Sequence, residues 1–415
     1  MKNYKENLIN SEEAFHRETY EIRMAQYGFK NIERMEKFLW DLELFLQIKN
    51  VLGDRIVLKG GAATQFYLPV LAQRTSVDID MIFSGTVEEI EDALNKITEI
   101  FKNEEGLFEF RKHIPKNPKT SLPLYTYHVN VPSVLTLAEM RSKDEDQEPF
   151  QELKIEFIMQ DNKVEYQNVK ADNIFAVSSE LEYQILPINY LFADKLTTLG
   201  PNTIGVQDDR IDEQIKQFYD IWMLTKYHID NFDIELIRDK YVNRAIQESK
   251  SRLRKFDLNE IKEDVIKQLY RFSFADGGED VDLKKAINDF NALYLNAKVV
   301  YNPQIVACGA ELIKLMYETI LEGEGWDIVK TALYIDKLLD LDGYIGKEKG
   351  QKSKELRSMF IDEFASHSAM KPEILKGKKH HRIFWSVVDK ENIYRIKEMV
   401  EDMLEINGIC VKDEV

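Results

Sequence analysis

The spacing of apolar residues predicts alternating helices and strands in the first part of the chain. Residues 35–52 carry a wide apolar stripe with helical periodicity, which is typical of a helix packed against a core. Residues 55–61 form a short β pattern that ends in paired glycines, and residues 77–83 form a second one. Three later runs are rich in aromatic and β-branched residues and predict further strands. The later strands cover residues 107–114, 124–131 and 153–159, and helices are predicted at 63–71, with an interruption at Pro69, and at 87–101.

The pattern becomes helical from Pro187 onward. The sequence DGGED at 276–280 predicts a break within this helical part. We therefore predict an α+β fold in which a mixed sheet flanked by helices forms a domain over residues 1–186. A helical domain over residues 187–415 follows, with a weaker division near 276–303. Its predicted helices cover residues 188–199, 210–227, 233–255, 257–271, 281–298, 306–322, 325–340, 352–366 and 391–406.

The composition is acidic, with a formal net charge of −17 over 415 residues. A mean field of this sign repels phosphate, so any nucleic acid contact needs a local basic patch or a metal ion. Cys308 and Cys410 lie outside any spacing typical of a zinc site or a disulfide framework. The N-terminus lacks the apolar segment of a signal peptide, and no run reaches the ~18 apolar residues of a membrane helix. We therefore expect a cytoplasmic protein without membrane contact.

A glycine pair and three acids form the candidate chemical site. Gly60 and Gly61, between a strand and a helix, permit close backbone approach and leave N–H groups free to hold a phosphate. Asp78 and Asp80 are two residues apart, so on a strand they project from one face. Two such carboxylates repel each other unless a cation lies between them, and their oxygens suit Mg²⁺ or Mn²⁺. Glu156, on a later apolar strand, would complete a two-metal site for in-line displacement at phosphorus.

Each of these features alone has an ordinary explanation. A glycine pair is usually a turn, and an Asp-x-Asp pair is usually a solvated strand edge. Here, however, the two acids alternate with the apolar residues Val77, Ile79 and Met81, and burying unpaired carboxylates in such a run is costly. The ordered combination therefore favours a phosphate-transfer site.

The same segment carries a family resemblance. The sequence has Lys59-Gly60-Gly61-Ala62 and then Arg74-Thr75-Ser76-Val77-Asp78-Ile79-Asp80-Met81. Later elements follow in the family's order: Lys154-Ile155-Glu156, then Ala193-Asp194-Lys195-Leu196, then Tyr219-Asp220-Ile221. Over roughly residues 30–230 the chain resembles the AbiEii/AbiGii-type nucleotidyltransferases, which include the MenT-type toxins and belong to the DNA-polymerase-β-like superfamily. Two departures are Gly61-Ala62, where the superfamily has glycine-serine, and a glutamate as third acid, where aspartate is common.

The resemblance implies a nucleotidyltransferase core domain with an NTP substrate and Mg²⁺ or Mn²⁺ as cofactor. Lys195 would neutralise phosphate charge, and Asp220 would hold Lys195 or a nucleotide group. Without the resemblance, Lys195 would be read as solvated and Asp220 as the surface partner of Lys216. The implied catalytic residues are Asp78, Asp80, Glu156, Lys195 and Asp220, with Asp78, Asp80 and Glu156 binding metal. The implied nucleotide-binding residues are Lys59, Gly60, Gly61, Arg74, Ser76 and Lys195.

The resemblance also implies the toxin of a toxin–antitoxin or phage-defence pair. Its acceptor would be the 3′ end of an RNA, with tRNA as the leading candidate, and a cognate antitoxin would silence it. Two alternatives stay open. The acceptor could be a protein hydroxyl or a small molecule such as an aminoglycoside, or the chain could be an inactive binding scaffold.

Two basic runs could receive an RNA backbone in this acidic chain. One comprises Lys250, Arg252, Arg254 and Lys255, and the other covers residues 376–382. The ordinary alternatives are a solvated helix face and an exposed loop. Neighbouring Phe384 and Trp385 could stack bases, although such residues are more often core anchors.

Overall fold

The computed structural model describes residues 4–101, 107–114, 123–140, 149–160, 164–339 and 351–406. Within these residues, seven strands form one mixed sheet in the order β3-β4-β5-β2-β1-β7-β6. The pairs β1–β7 and β2–β5 are parallel, and the other neighbours are antiparallel. The strands are β1 (Ile56–Lys59), β2 (Asp78–Phe83), β3 (Arg111–Lys112), β4 (Leu124–Pro132), β5 (Phe150–Met159), β6 (Gln167–Lys170) and β7 (Glu182–Ile185).

Helices cover the sheet and make up most of the chain after it, which confirms the predicted α+β fold. Those of the first part are α1 (Arg17–Tyr27), α2 (Ile32–Leu52), α3 (Gly60–Gln65) and α4 (Val87–Phe101). Those of the second part are α5 (Ile188–Leu196), α6 (Ile211–His228), α7 (Ile234–Ser251), α8 (Leu258–Ser273), α9 (Val281–Tyr294), α10 (Pro303–Glu322), α11 (Trp326–Leu339), α12 (Gln351–Phe364), α13 (Pro372–Leu375), α14 (His380–Val387) and α15 (Ile393–Ile406).

One face of the sheet is buried under α2 and α4. Along β2, Ile79, Met81 and Phe83 are fully buried, and they belong to one apolar core with residues of both helices. The alternating positions Asp78 and Asp80 are less buried and point to the opposite face. The period of two along β2 therefore separates a core face from a face that is available for chemistry.

Two predicted elements are much shorter in the structure than the sequence suggests. The helix expected over residues 63–71 ends at Gln65, because the chain turns through Leu68 and Pro69 and packs into a second apolar core with the later helices. The strand expected over 107–114 is only the two-residue β3. Strands β6 and β7 have four residues each and are too short to show a clear alternation in the sequence.

The described apolar residues form two cores. The first joins the sheet with α1, α2 and α4, and the second joins α6 to α15 with the loop residues Leu68 and Ala72. Helix α5 contributes to both, through Leu191 on one side and Phe192 on the other. The domain boundary at 186/187 stays a prediction.

The basic run at 376–382 is largely engaged inside the protein. Lys378 Nζ lies 2.7 Å from Asp276 Oδ2, and Arg382 is fully buried with its Nε 3.3 Å from the same oxygen. The following residues Phe384 and Trp385 are also buried in the second core. In the other run, Lys250 and Lys255 are exposed, which keeps that run accessible. None of the helices in the described parts is both long and apolar enough to cross a bilayer.

Candidate active site

The register of the sheet sets three predicted site residues side by side. Asp80 on β2 pairs with Lys59 on β1 and with Glu156 on β5. Residues that pair directly across neighbouring strands project from the same face, so these three side chains lie in one row. Asp78 pairs with Lys154 in the adjacent row. The acids and two lysines therefore share the sheet face opposite α2 and α4.

The glycine turn lies directly against Asp80. Gly60 has a φ of +68°, in the left-handed region that favours glycine. A Cβ atom on Gly60 would lie 2.1 Å from Asp80 Oδ2, so no other residue fits without displacing that carboxylate. The first helical residue after β1 thus brings its backbone into contact with the central acid of the site.

Gly61 is enclosed from behind by Arg74 and Ser76. A Cβ atom on Gly61 would lie 2.7 Å from Arg74 Nη2 and 2.9 Å from Ser76 Oγ. Both residues are almost fully buried, at 3% and 5% exposure. Their predicted role is nucleotide binding, and the structure places both side chains against the Gly61 backbone.

Arg74, Lys195 and Asp220 form a buried ion cluster at this position. The Arg74 guanidinium donates to both Asp220 oxygens at 2.7 Å, and Lys195 Nζ donates to Asp220 Oδ2 and to Gln217 Oε1, also at 2.7 Å. Burial alone would raise the pKa of Asp220, but the charges of Arg74 and Lys195 outweigh it and lower that pKa. Because two cations share one carboxylate, the cluster has a net positive charge behind the turn.

A second ion cluster flanks the acids near the C-terminal end of α5. Lys59 Nζ lies 2.8 Å from Asp194 Oδ2, and Arg244 Nε lies 3.2 Å from Asp194 Oδ1. Burial would raise the pKa of Asp194, but the charges of Lys59 and Arg244 exceed that effect and lower it. Asp194 and Arg244 are not among the residues predicted for the site, because their contacts join elements that are distant along the chain.

The acids on the site face are only partly neutralised. Burial, followed by the charge of Glu156, raises the pKa of Asp80 to about 7, while Lys59 acts in the opposite direction. Glu156 Oε1 accepts a hydrogen bond from Thr126 Oγ1 at 3.1 Å and lies 3.0 Å from Lys154 Nζ. A cation bound beside Asp80 would therefore reduce the repulsion between the Asp80 and Glu156 carboxylates.

Asp41 on α2 is a further acid that the sequence reading missed. It is 1% exposed, and among the described residues neither of its oxygens has a hydrogen-bond partner. Burial, together with the charges of Asp78 and Asp80, raises its pKa well above the usual range. The available signal was an acid inside the long apolar stripe at 35–52.

The donor set fits a hard divalent cation that completes its shell with substrate. The described residues contain no group of three or more His, Cys, Asp or Glu side chains gathered at metal-binding distance. Mg²⁺, however, is usually held by one or two protein carboxylates together with water and substrate phosphates. Asp80 and Glu156, adjacent across β2 and β5 and mutually repulsive, meet that requirement.

The chain matches one protein family and is distantly similar to solved structures. Residues 44–294 match the family model described as nucleotidyl transferase AbiEii toxin, type IV toxin–antitoxin system. The solved structure of JHP933 from Helicobacter pylori is similar, with a TM-score of 0.37 and 17% identity over 69% of this chain and 93% of that one. MenT4, a nucleotidyltransferase toxin from Mycobacterium tuberculosis H37Rv, has a TM-score of 0.34 and 15% identity over 55% of this chain and 72% of its own.

These two structural likenesses are distant, and no curated protein sequence matches the chain. The family match covers more than half of the chain and includes the glycine turn, the acids and the buried ion cluster. It confirms the predicted family and enzyme class. The chain therefore belongs to the AbiEii family of nucleotidyltransferase toxins of type IV toxin–antitoxin systems.

Proposed function

We propose that this toxin transfers a nucleoside monophosphate from an NTP to the 3′ hydroxyl of an RNA, with tRNA as the leading acceptor. The reaction depends on Mg²⁺ or Mn²⁺, and a cognate antitoxin silences it. The supporting observation is the row of Lys59, Asp80 and Glu156, with Asp80 in contact with the Gly60 backbone. This row brings a cation and two acids together beside the glycine turn.

In this proposal, the backbone N–H groups of Gly60 and Gly61 hold the triphosphate. The net positive charge of the Arg74–Asp220–Lys195 cluster behind the turn attracts it, so Arg74 and Lys195 act through the turn. Asp78, Asp80 and Glu156 hold the divalent ion, which supplies charge neutralisation at the phosphate oxygens. In this proposal the glycine turn binds the phosphates, the buried ion cluster attracts them, and the three acids bind the metal ion.

The acceptor hydroxyl attacks the α-phosphorus in line with the leaving group. A new bond forms between the acceptor oxygen and phosphorus, the bond to the pyrophosphate oxygen breaks, and pyrophosphate leaves. Glu156, which accepts a hydrogen bond from Thr126 Oγ1, would act either as a ligand of the divalent ion or as the base that takes the hydroxyl proton. The product is an RNA longer by one nucleotide.

Helix α7 supports the choice of an RNA acceptor. It runs from the site, where Arg244 pairs with Asp194, to Lys250 near its C-terminal end, where the exposed basic run begins. A phosphate backbone crossing that end of α7 would meet the exposed Lys250 and Lys255 despite the acidic mean field.

The test is transfer of labelled ATP, GTP, CTP or UTP, with Mg²⁺, to separate pools of total tRNA, protein and aminoglycosides. We expect label in tRNA with the wild type and at least a hundredfold less with Asp80→Asn. The exposed Asp230→Asn serves as the matched control and should leave transfer unchanged. Equal labelling of tRNA by wild type and Asp80→Asn would exclude the site, and label only in protein or drug would exclude the RNA acceptor.

A further inference from the structure

A cavity of about 380 Å³ lies next to the acids on the same face of the sheet. Its floor includes Ile82 and Ile158, which pair across β2 and β5 two residues beyond Asp80 and Glu156. Its walls come from α5, between Tyr190 and Asp194, and from one side of α7. The volume is in the range of small-molecule sites, and an apolar floor next to a charged row suits a ligand with a flat apolar part and a charged part.

The walls carry uncharged hydrogen-bonding groups over this floor. Gln160, Asn243 and Gln247 present exposed side-chain amides. Glu165 and Lys240 also line the cavity, and Lys240 Nζ lies 4.2 Å from the centre of the Tyr190 ring. Gln247 Oε1 accepts a hydrogen bond from Arg244 Nη1 at 3.3 Å, so its NH₂ group is left to donate elsewhere. Within the described parts of the chain, the amides of Gln160 and Asn243 have no hydrogen-bond partner. Such groups are suited to the edge of a nucleobase, which offers both donors and acceptors.

The charged end of the cavity adjoins the glycine turn. Lys59 and Arg244 line the cavity, and both are held by Asp194. Since Lys59 directly precedes Gly60, a ligand with its phosphates on the turn would extend from there into the cavity. The volume holds one nucleoside, whereas an RNA strand would need a groove that continues past it.

We propose that this cavity receives the base and ribose of the incoming NTP and that Asn243 and Gln247 determine which base is accepted. The inference rests on the proposed function, since it assumes that the triphosphate is held at Gly60 and Gly61. Asn243 and Gln247 are four residues apart on α7, so their amides lie on the same side of the helix and can contact one base together. A base with the wrong edge leaves these amides unpaired once water is displaced, which weakens its binding.

The experiment measures equilibrium binding, so that it needs no acceptor. ATP, GTP, CTP, UTP and tripolyphosphate are titrated into the full chain with Mg²⁺ by calorimetry. The variants are Asn243→Ala, Gln247→Ala and the double variant, with Asn288→Ala as the control, because Asn288 is an exposed amide on α9 outside the cavity. Tripolyphosphate reports on the phosphate site alone.

We expect the wild type to favour one NTP over the weakest by roughly 5- to 150-fold, the discrimination given by one good pair of amide contacts. The double variant should lose most of this ratio and keep its affinity for tripolyphosphate, and Asn288→Ala should match the wild type. An unchanged ratio in the double variant, or equal affinity of the wild type for all four NTPs, would overturn the inference and leave the proposed transfer standing. Failure of every NTP and of tripolyphosphate to bind would overturn both.

Discussion

Behind the glycine turn a single carboxylate, Asp220, holds two cations, whereas on the sheet face in front of the turn the acids outnumber the cations. The cluster behind is closed: every Asp220 oxygen is hydrogen-bonded, and its pKa is lowered. In the front row, the pKa of Asp80 is raised, and Lys59 is shared with Asp194. One cluster is complete within the protein, and in our proposal the other is completed by a metal ion and a nucleotide.

We expect the two clusters to differ in what they support: the cluster of Arg74, Lys195 and Asp220 supports folding, and the row of acids supports ligand binding. Removing a member of the complete cluster leaves buried charge without a partner, which should destabilise the fold. Removing an acid from the incomplete row relieves repulsion, which should stabilise the fold while weakening metal and nucleotide binding. Variants of the two clusters should therefore change stability in opposite directions.

The largest effect is expected for Asp220→Ala. This change leaves the buried Arg74 and Lys195 without their carboxylate and should lower the free energy of unfolding by about 3–5 kcal/mol. Denaturant unfolding measures it. Asp230→Ala is the control, because Asp230 pairs with Lys330 on the surface and should cost less than about 1 kcal/mol. Similar losses in both variants would mean that the buried cluster has no special importance for stability.

Asp80→Asn should have the opposite sign. A raised pKa means that Asp80 supports folding below pH ~4, where it is protonated in both states, and that this support is lost as the pH rises to about 7. Without divalent ions, the variant should therefore exceed the wild type in unfolding free energy by about 2 kcal/mol at pH 8 and by little at pH 4. Adding Mg²⁺ should stabilise the wild type and not the variant. If the variant were less stable than the wild type at pH 8, the claim that the charge of Asp80 opposes folding without a bound cation would be wrong.

Gly60→Ala tests the contact between the turn and the acid. The left-handed φ alone should cost about 1–3 kcal/mol, and the collision with Asp80 Oδ2 should in addition lower nucleotide transfer by more than about tenfold. Gly278→Ala is the matched control, because Gly278 has a φ of +101° with only Lys284 Nζ, at 3.6 Å, near its added Cβ. That variant should lose stability alone. Full transfer activity in Gly60→Ala would separate the turn from catalysis.

The sequence predicted those features whose cause is local. The alternation along residues 77–83 is visible in the sequence, so the shared face of Asp78 and Asp80 could be read from it, as could the strand that carries Glu156. The partner of Arg74 could not, because Arg74 lies in a loop and Asp220 lies 146 residues away on α6. That Asp41 has no hydrogen-bond partner among the described residues likewise depends on how α2 packs on the sheet, because a helical stripe specifies only the side that is buried.

The smallest effect on stability is expected for Asp41, which we compare with Glu43, a second buried acid on α2. Asp41 has no hydrogen-bond partner among the described residues and a raised pKa, so its support for folding is present below pH ~4 and lost as the pH rises. Asp41→Asn removes that loss but buries an unpaired amide, so the net gain at pH 8 should be about 1 kcal/mol. Glu43, equally buried, accepts hydrogen bonds from the Ile9 and Asn10 backbone N–H groups.

Glu43→Gln should therefore destabilise the protein, because it replaces a carboxylate whose two oxygens both accept hydrogen bonds with an amide that has only one acceptor oxygen. The gain from Asp41→Asn should also shrink in the Asp80→Asn background, since the charge of Asp80 is one cause of the raised pKa of Asp41. Denaturant unfolding of the two single variants and the double variant at pH 5 and pH 8 measures both effects. If Asp41→Asn destabilised the protein at pH 8 by as much as at pH 5, the charge of Asp41 would not oppose folding, and the repulsion inferred between Asp41 and the acids Asp78 and Asp80 would be wrong.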